Sequence, residues 1–120
     1  MPKFVILKHE CLNTADHWDF MLEQPDHLTC WQLPLAPPQW GHSPIEMTKI
    51  FDHRKKYLTY EGDISKSRGR VTQVDRGEFQ CITKSKDEWH IEIKGTHVKG
   101  TWQIIKRKNE QWVLKKDDIS

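Results

Sequence analysis

Hydrophobic and polar positions alternate most strictly along His17-Trp18-Asp19-Phe20-Met21-Leu22-Glu23. Trp18, Phe20 and Leu22 fall in one phase; His17, Asp19, Met21 and Glu23 fall in the other. A period of two predicts a β-strand with an apolar face and a polar one. Side chains at i and i+2 then share a face, with Cα atoms about 6.5–7 Å apart. An imidazole and a carboxylate are thereby set side by side, with three apolar anchors behind them.

Similar short runs recur along the chain. Residues 3–8 hold Phe4-Val5-Ile6-Leu7, and Leu28–Leu33 returns after a Gln24-Pro25-Asp26-His27 turn. Residues 34–44 carry four prolines and a glycine and read as loop. Residues 46–52 predict another strand, and 53–57 a helical turn or tight bend. Residues 69–75 and 78–82 flank Asp75-Arg76-Gly77, read as a hairpin turn with Gly at a positive φ. Residues 89–94, 100–106 and Gln111–Lys116 complete the set, the last two joined at Lys108-Asn109-Glu110. About eight short strands and no amphipathic helix predict a mainly β sandwich or closed barrel.

The 120 residues fit one domain, 1–120, able to bury a core without disulfides. Six Trp, four Phe and two Tyr make that core aromatic, with Trp31 and Trp102 inside. Trp40 is expected to fold back from the proline loop; the alternative is an exposed ring that stacks a base. A net charge of +2 excludes a polybasic nucleic-acid coat, so any such contact is local and modest in salt dependence. Cys11, Cys30 and Cys81 form no CxxC pair, which excludes a zinc ribbon or a disulfide framework; each is read as a small buried hydrophobe. A reducing, cytoplasmic setting and a monomer are expected. No leader is visible, because Met1-Pro2-Lys3 runs straight into a strand, and no apolar run is long enough to span a membrane.

Two further histidines bear on the His17–Asp19 pair. His9 ends the first apolar run, and His53 lies four residues before Tyr57. Two imidazoles and a carboxylate can form the protein shell of a divalent ion such as Zn, Mn or Fe, with positions left open for water or substrate. His27, His42, His90 and His97 lie in turns or exposed alternations and read as surface residues.

The ordered motifs resemble a known family, the 3′-phosphoesterase domain of bacterial DNA ligase D and its stand-alone relatives. Phe4-Val5-Ile6-Leu7-Lys8-His9-Glu10 is similar to its opening strand, and His17-Trp18-Asp19-Phe20-Met21-Leu22-Glu23 to its His-Tyr-Asp-Phe-Arg-Leu-Glu. Cys30-Trp31-Gln32-Leu33-Pro34, Asp52-His53 with Tyr57, Tyr60-Glu61-Gly62, Asp75-Arg76-Gly77 and Lys99-Gly100-Thr101-Trp102 continue the series in order. The resemblance implies a compact antiparallel β-barrel with short flanking helices. It implies a manganese-type site at His9, His17 and Asp19, with zinc or another transition metal as the alternative. It implies that His53 and Tyr57 face the scissile phosphate. The activity implied is removal of a 3′ phosphate or terminal ribonucleotide from DNA or RNA/DNA ends, beside a separate DNA ligase or polymerase.

The chain departs from the family in four places. Met21 stands where the family has an arginine that grips phosphate bidentately. A second family arginine aligns near Ile45, the His9–His17 spacing is two residues longer, and the charged N-terminal tail is missing. Arg68 and Arg70 are the candidate replacements for the phosphate clamp; the alternative is a solvated loop. The expected function is a metal-dependent phosphoesterase of nucleic-acid 3′ ends. Its rivals are a non-catalytic end-binding or protein-interaction module that keeps the metal site, and a phosphoesterase of a small metabolite. Glu61 is expected to be structural.

Overall fold

The computed structural model describes residues 1–64 and 68–117. Its strands are β1 (Lys3–Glu10), β2 (His17–Glu23), β3 (Leu28–Leu33), β4 (Ile45–His53), β5 (Gly62–Asp63), β6 (Arg70–Lys84), β7 (Glu88–Gly95), β8 (Lys99–Lys108) and β9 (Gln111–Lys116). The hydrogen-bonded order is β1-β2-β3-β4-β9-β8-β7-β6, and β6 pairs back onto β1. Eight antiparallel strands therefore close a barrel, as expected, and the ring has no free edge. β5 stands outside it as a two-residue addition to β6. The flanking helices shrink to two 3₁₀ turns, Pro37–Gln39 and Lys55–Leu58. The first is limited by two adjacent prolines that lack amide donors.

The apolar phase of each strand fills the barrel. Phe4, Ile6, Phe20, Leu22, Trp31 and Leu33 meet Ile91, Ile93, Trp102, Ile104, Trp112 and Leu114 inside. Trp31 sits among them, edge-on to Trp89 at 5.4 Å and to Trp112 at 5.7 Å. Trp40 does fold back, reaching Phe20 at 5.7 Å and donating its indole N–H to the Leu35 carbonyl. Each such side chain contributes roughly 1.5–3 kcal/mol on burial.

The opposite phase of β1, β2 and β3 does not face water. Val5, Leu7, Met21, Leu28, Cys30 and Val71 form a second buried cluster on the outer wall. Tyr57, Leu58, Tyr60 and Ile64 pack over it. The chain segment after β4 thus lies as a flap across the barrel wall. A 3.2 Å contact between Lys55 Nζ and Glu23 ties that flap to the end of β2.

The structure corrects three sequence expectations. Asp75-Arg76-Gly77 is no hairpin turn: β6 runs through it. A bulge at Val74 is accommodated where the register shifts between Ile6↔Asp75 and Leu7↔Gln73. Asp75 is buried, and its carboxylate accepts N–H bonds from Arg76, Thr96, His97 and Val98 at 2.7–3.0 Å. The aspartate therefore organises the β7–β8 turn, about twenty residues further along the chain. Gly77 is required by close strand approach, since a Cβ there would lie 2.1 Å from the Lys94 carbonyl oxygen.

Ile45 is buried in the interior cluster, because its strand phase points inward. An arginine at that position could not reach the outer wall. Of the cysteines only Cys30 is buried; Cys11 is half-buried and Cys81 exposed. Cys11 lies just past β1, and Cys81 lies on the exposed stretch of β6. Finally, the first strand extends to Glu10, so His9 lies within it and pairs with β2.

A candidate metal centre on the barrel wall

The β1–β2 register sets His9 opposite His17 and Leu7 opposite Asp19. All of these belong to the outward phase of their strands, so His9, His17 and Asp19 share one patch of wall. His9 Nδ1 lies 3.2 Å from His17 Nε2 and 3.8 Å from Asp19 Oδ2. His17 Nε2 lies 3.1 Å from Asp19 Oδ1. Metal–ligand bonds of about 2.0–2.2 Å separate neighbouring ligand atoms by about 3.0–3.5 Å. The His9–His17 and His17–Asp19 separations match that spacing, and the His9–Asp19 separation is slightly longer.

The hydrogen bonds around them set the direction of the lone pairs. His9 Nε2 donates to the Arg68 carbonyl at 2.8 Å, which leaves a lone pair on Nδ1 of the neutral ring. The Gln32 side-chain amide lies 3.2 Å from His17 Nε2. Asp19 is buried, and its Oδ1 has no hydrogen-bond partner. Two ring nitrogens and a buried carboxylate oxygen thus converge. Such an arrangement is repulsive until a cation or proton sits among them. The donor set suits a divalent transition metal.

The centre opens into a groove of about 280 Å³. His9, Asp19 and Gln32 line one part of it, and His53, Arg54, Tyr57 and Arg68 another. Met21 lies in its floor at 1% exposure, within the outer apolar cluster. His53 Nδ1 bonds the Phe51 carbonyl at 3.0 Å, leaving Nε2 as the nitrogen with unused capacity. The rings of His53 and Tyr57 meet edge-on at 5.5 Å. The two side chains come from the end of β4 and the 3₁₀ turn that follows.

Arg70 lies elsewhere. Its guanidinium is 3.5 Å from Asp63, and it borders a different hollow with Glu10 and Asp16. Glu61 has a structural contact, its Oε2 accepting the Gln73 N–H at 2.8 Å. Burial, reinforced by the neighbouring Asp19 charge, pushes the Cys30 thiol well above its ordinary pKa and keeps it neutral.

Sequence reasoning missed Cys11. Its Sγ lies 3.7 Å from His17 Nδ1, and ligand atoms of His9, Cys11 and His17 all fall within 4.8 Å of one another. The available signal was phase: Cys11 follows His9 by two residues and continues the outward face of β1. Gln32 and its link to His17 were missed as well, because β3 was read only for its apolar residues.

Residues 8–106 match the family model of the DNA Ligase D 3′-phosphoesterase domain. The multifunctional non-homologous end joining DNA repair protein LigD of Mycobacterium tuberculosis is 27% identical over 120 aligned positions, which cover 92% of this chain. The multifunctional non-homologous end joining protein LigD of Pseudomonas aeruginosa is 25% identical over 126 aligned positions, which cover 95% of the chain. The chain spans about 15% of the length of these relatives.

Proposed function

The chain belongs to the DNA ligase D 3′-phosphoesterase domain family, and on that premise we propose that it is a metal-dependent phosphoesterase acting on nucleic-acid 3′ ends during end-joining repair. The observation that carries this reading is the convergence of His9 Nδ1, His17 Nε2 and the unpartnered Asp19 Oδ1 at one end of an open groove. His9, His17 and Asp19 hold the ion, manganese being the family's choice. A bound divalent ion neutralises phosphate charge and lowers the pKa of a coordinated water.

The chain's own residues do the rest. The Arg68 carbonyl accepts from His9 Nε2 and so leaves His9 Nδ1 for the site, while Gln32 lies against His17. His53, oriented by its bond to the Phe51 carbonyl, presents Nε2 to the substrate and can donate a proton to the leaving oxygen. The Tyr57 hydroxyl can hydrogen-bond a phosphate oxygen. Arg68 lines the same groove, and its side chain is the candidate source of positive charge there. Arg70 is the weaker candidate for that task, since it is paired with Asp63. The setting we propose is cytoplasmic and monomeric, with a separate DNA ligase or polymerase sealing or extending the trimmed end.

A second reading has its own observation. Met21 buries an apolar side chain in the groove floor where a phosphate-gripping arginine would stand. A module with this floor could bind 3′ ends through its metal without turning them over. Turnover of a 3′-phosphorylated primer–template with manganese separates the two. Wild-type protein should release phosphate and His53→Ala should not, while manganese binding is retained in both. Equal release by both proteins removes His53 from the mechanism. Binding of the primer–template with no release by wild type establishes the second reading.

A further inference from the structure

His17 has a ligand-type neighbour at each of its ring nitrogens. Asp19 Oδ1 stands 3.1 Å from Nε2, and Cys11 Sγ stands 3.7 Å from Nδ1. Tetrahedral zinc with Zn–N of about 2.05 Å and Zn–S of about 2.3 Å separates nitrogen from sulfur by about 3.5 Å. Cys11 is held at that range. Its backbone N–H reaches Asp16 Oδ1 at 3.4 Å, and its Sγ lies 3.7 Å from the His9 carbonyl oxygen. His9, Cys11 and His17 form a compact trio in their own right.

We propose that the wall carries two alternative metal seats that share His9 and His17: a hard seat completed by Asp19 and a soft seat completed by the Cys11 thiolate. One ion cannot use both nitrogens of the same ring, so the ion's chemistry decides the seat. Manganese favours carboxylate oxygen and takes the Asp19 seat. Zinc and cobalt accept thiolate readily and take the Cys11 seat, with the thiol proton released to solvent. The thiol seat gives zinc a ligand that manganese does not want, so the chain prefers zinc. The inference rests on the metal-centre reading above and adds a ligand and a selectivity to it.

Cobalt(II) reports the seat directly, because a cobalt–thiolate bond gives an intense near-ultraviolet charge-transfer band that nitrogen and oxygen ligands lack. The full-length chain loaded with cobalt should show that band. Cys11→Ser should lose it, and the exposed-cysteine control Cys81→Ser should keep it. Zinc affinity should fall by about tenfold or more in Cys11→Ser, the scale on which support around a metal site matters, while manganese affinity stays level. Asp19→Asn should show the reverse, losing manganese more than zinc. Visible cobalt ligand-field bands with no charge-transfer band would overturn the Cys11 seat and leave the His9–His17–Asp19 centre standing. A charge-transfer band that survives in Cys11→Ser would also overturn it. Failure to bind cobalt, zinc or manganese at all would overturn both readings.

Discussion

Replacing Asp75 with asparagine tests the account of β6 as one continuous strand stapled to the β7–β8 turn. Each carboxylate oxygen accepts two backbone N–H groups: Arg76 and Thr96 at Oδ1, His97 and Val98 at Oδ2. Asparagine keeps one oxygen and turns an NH₂ group toward the other pair. Two donors then lose their acceptor, at about 1–3 kcal/mol each if they stay dry. Val98 is deeply buried, but Thr96 and His97 belong to exposed residues whose amides can reach water. The expected cost is therefore in the lower part of the range, about 2–4 kcal/mol. Against a total stability of about 5–15 kcal/mol that is a large fraction. At about 4 °C per kcal/mol for a chain of this size, Tm should fall by about 8–16 °C. Differential scanning calorimetry measures it, with exposed Asp63→Asn as the control that should change little. Hydrogen exchange at Val98 should accelerate in the same variant. Asp75 pairs with Ile6, about 10 Å along β1 from His9 and in the inward phase, so metal affinity of the folded variant should hold. A Tm within about 2 °C of wild type would refute the staple, since the four bonds would then contribute almost nothing.

Other outcomes follow from the same geometry. Met21→Arg places a guanidinium at the groove floor, where a charge-assisted hydrogen bond to phosphate adds roughly 1.5–3 kcal/mol, or about ten- to a hundredfold in turnover of 3′-phosphate ends. Overpacking among Val5, Leu7 and Cys30 should lower its Tm at the same time. A folded variant no faster than wild type would mean that Arg68 already grips the phosphate, and Arg68→Ala should then weaken end binding. Burial alone would raise the Glu23 pKa, but the Lys3 amide and the Lys55 ammonium outweigh it and hold the carboxyl below its usual value. A depressed folded pKa contributes stability above the ordinary carboxylate range and loses it as pH falls through the folded value. Glu23→Gln should therefore melt below wild type at neutral pH, with the gap closing in acid; a gap independent of pH would assign the effect to packing.

The barrel was legible because its signals are local. Alternation located β2, β3 and β9 to the residue, and the same alternation set His17 beside Asp19. His9 could be added because it directly follows the first apolar run, although the strand itself continues past that run to Glu10. What failed depends on partners distant in sequence. Asp75-Arg76-Gly77 has the composition of a tight turn, yet its aspartate serves amides at 96–98 and its glycine yields to the Lys94 backbone. Met21 falls in the polar phase of its strand, yet it is buried; its cover, Tyr57 to Ile64, lies more than thirty residues downstream. Arg68 and Arg70 are two residues apart, and nothing in that spacing tells which enters the groove.

His9, His17 and Asp19 stand on the outside of the barrel, beside the flap, and not within its lumen. A lumenal site would admit only what fits inside eight strands. An outer-wall groove would leave the rest of a long ligand in bulk water, and so sets no limit on ligand length. It also separates two selective pressures. Trp31 and its neighbours pack in one cluster and the outer wall in another, because inward and outward side chains alternate on the same backbone and touch different surroundings.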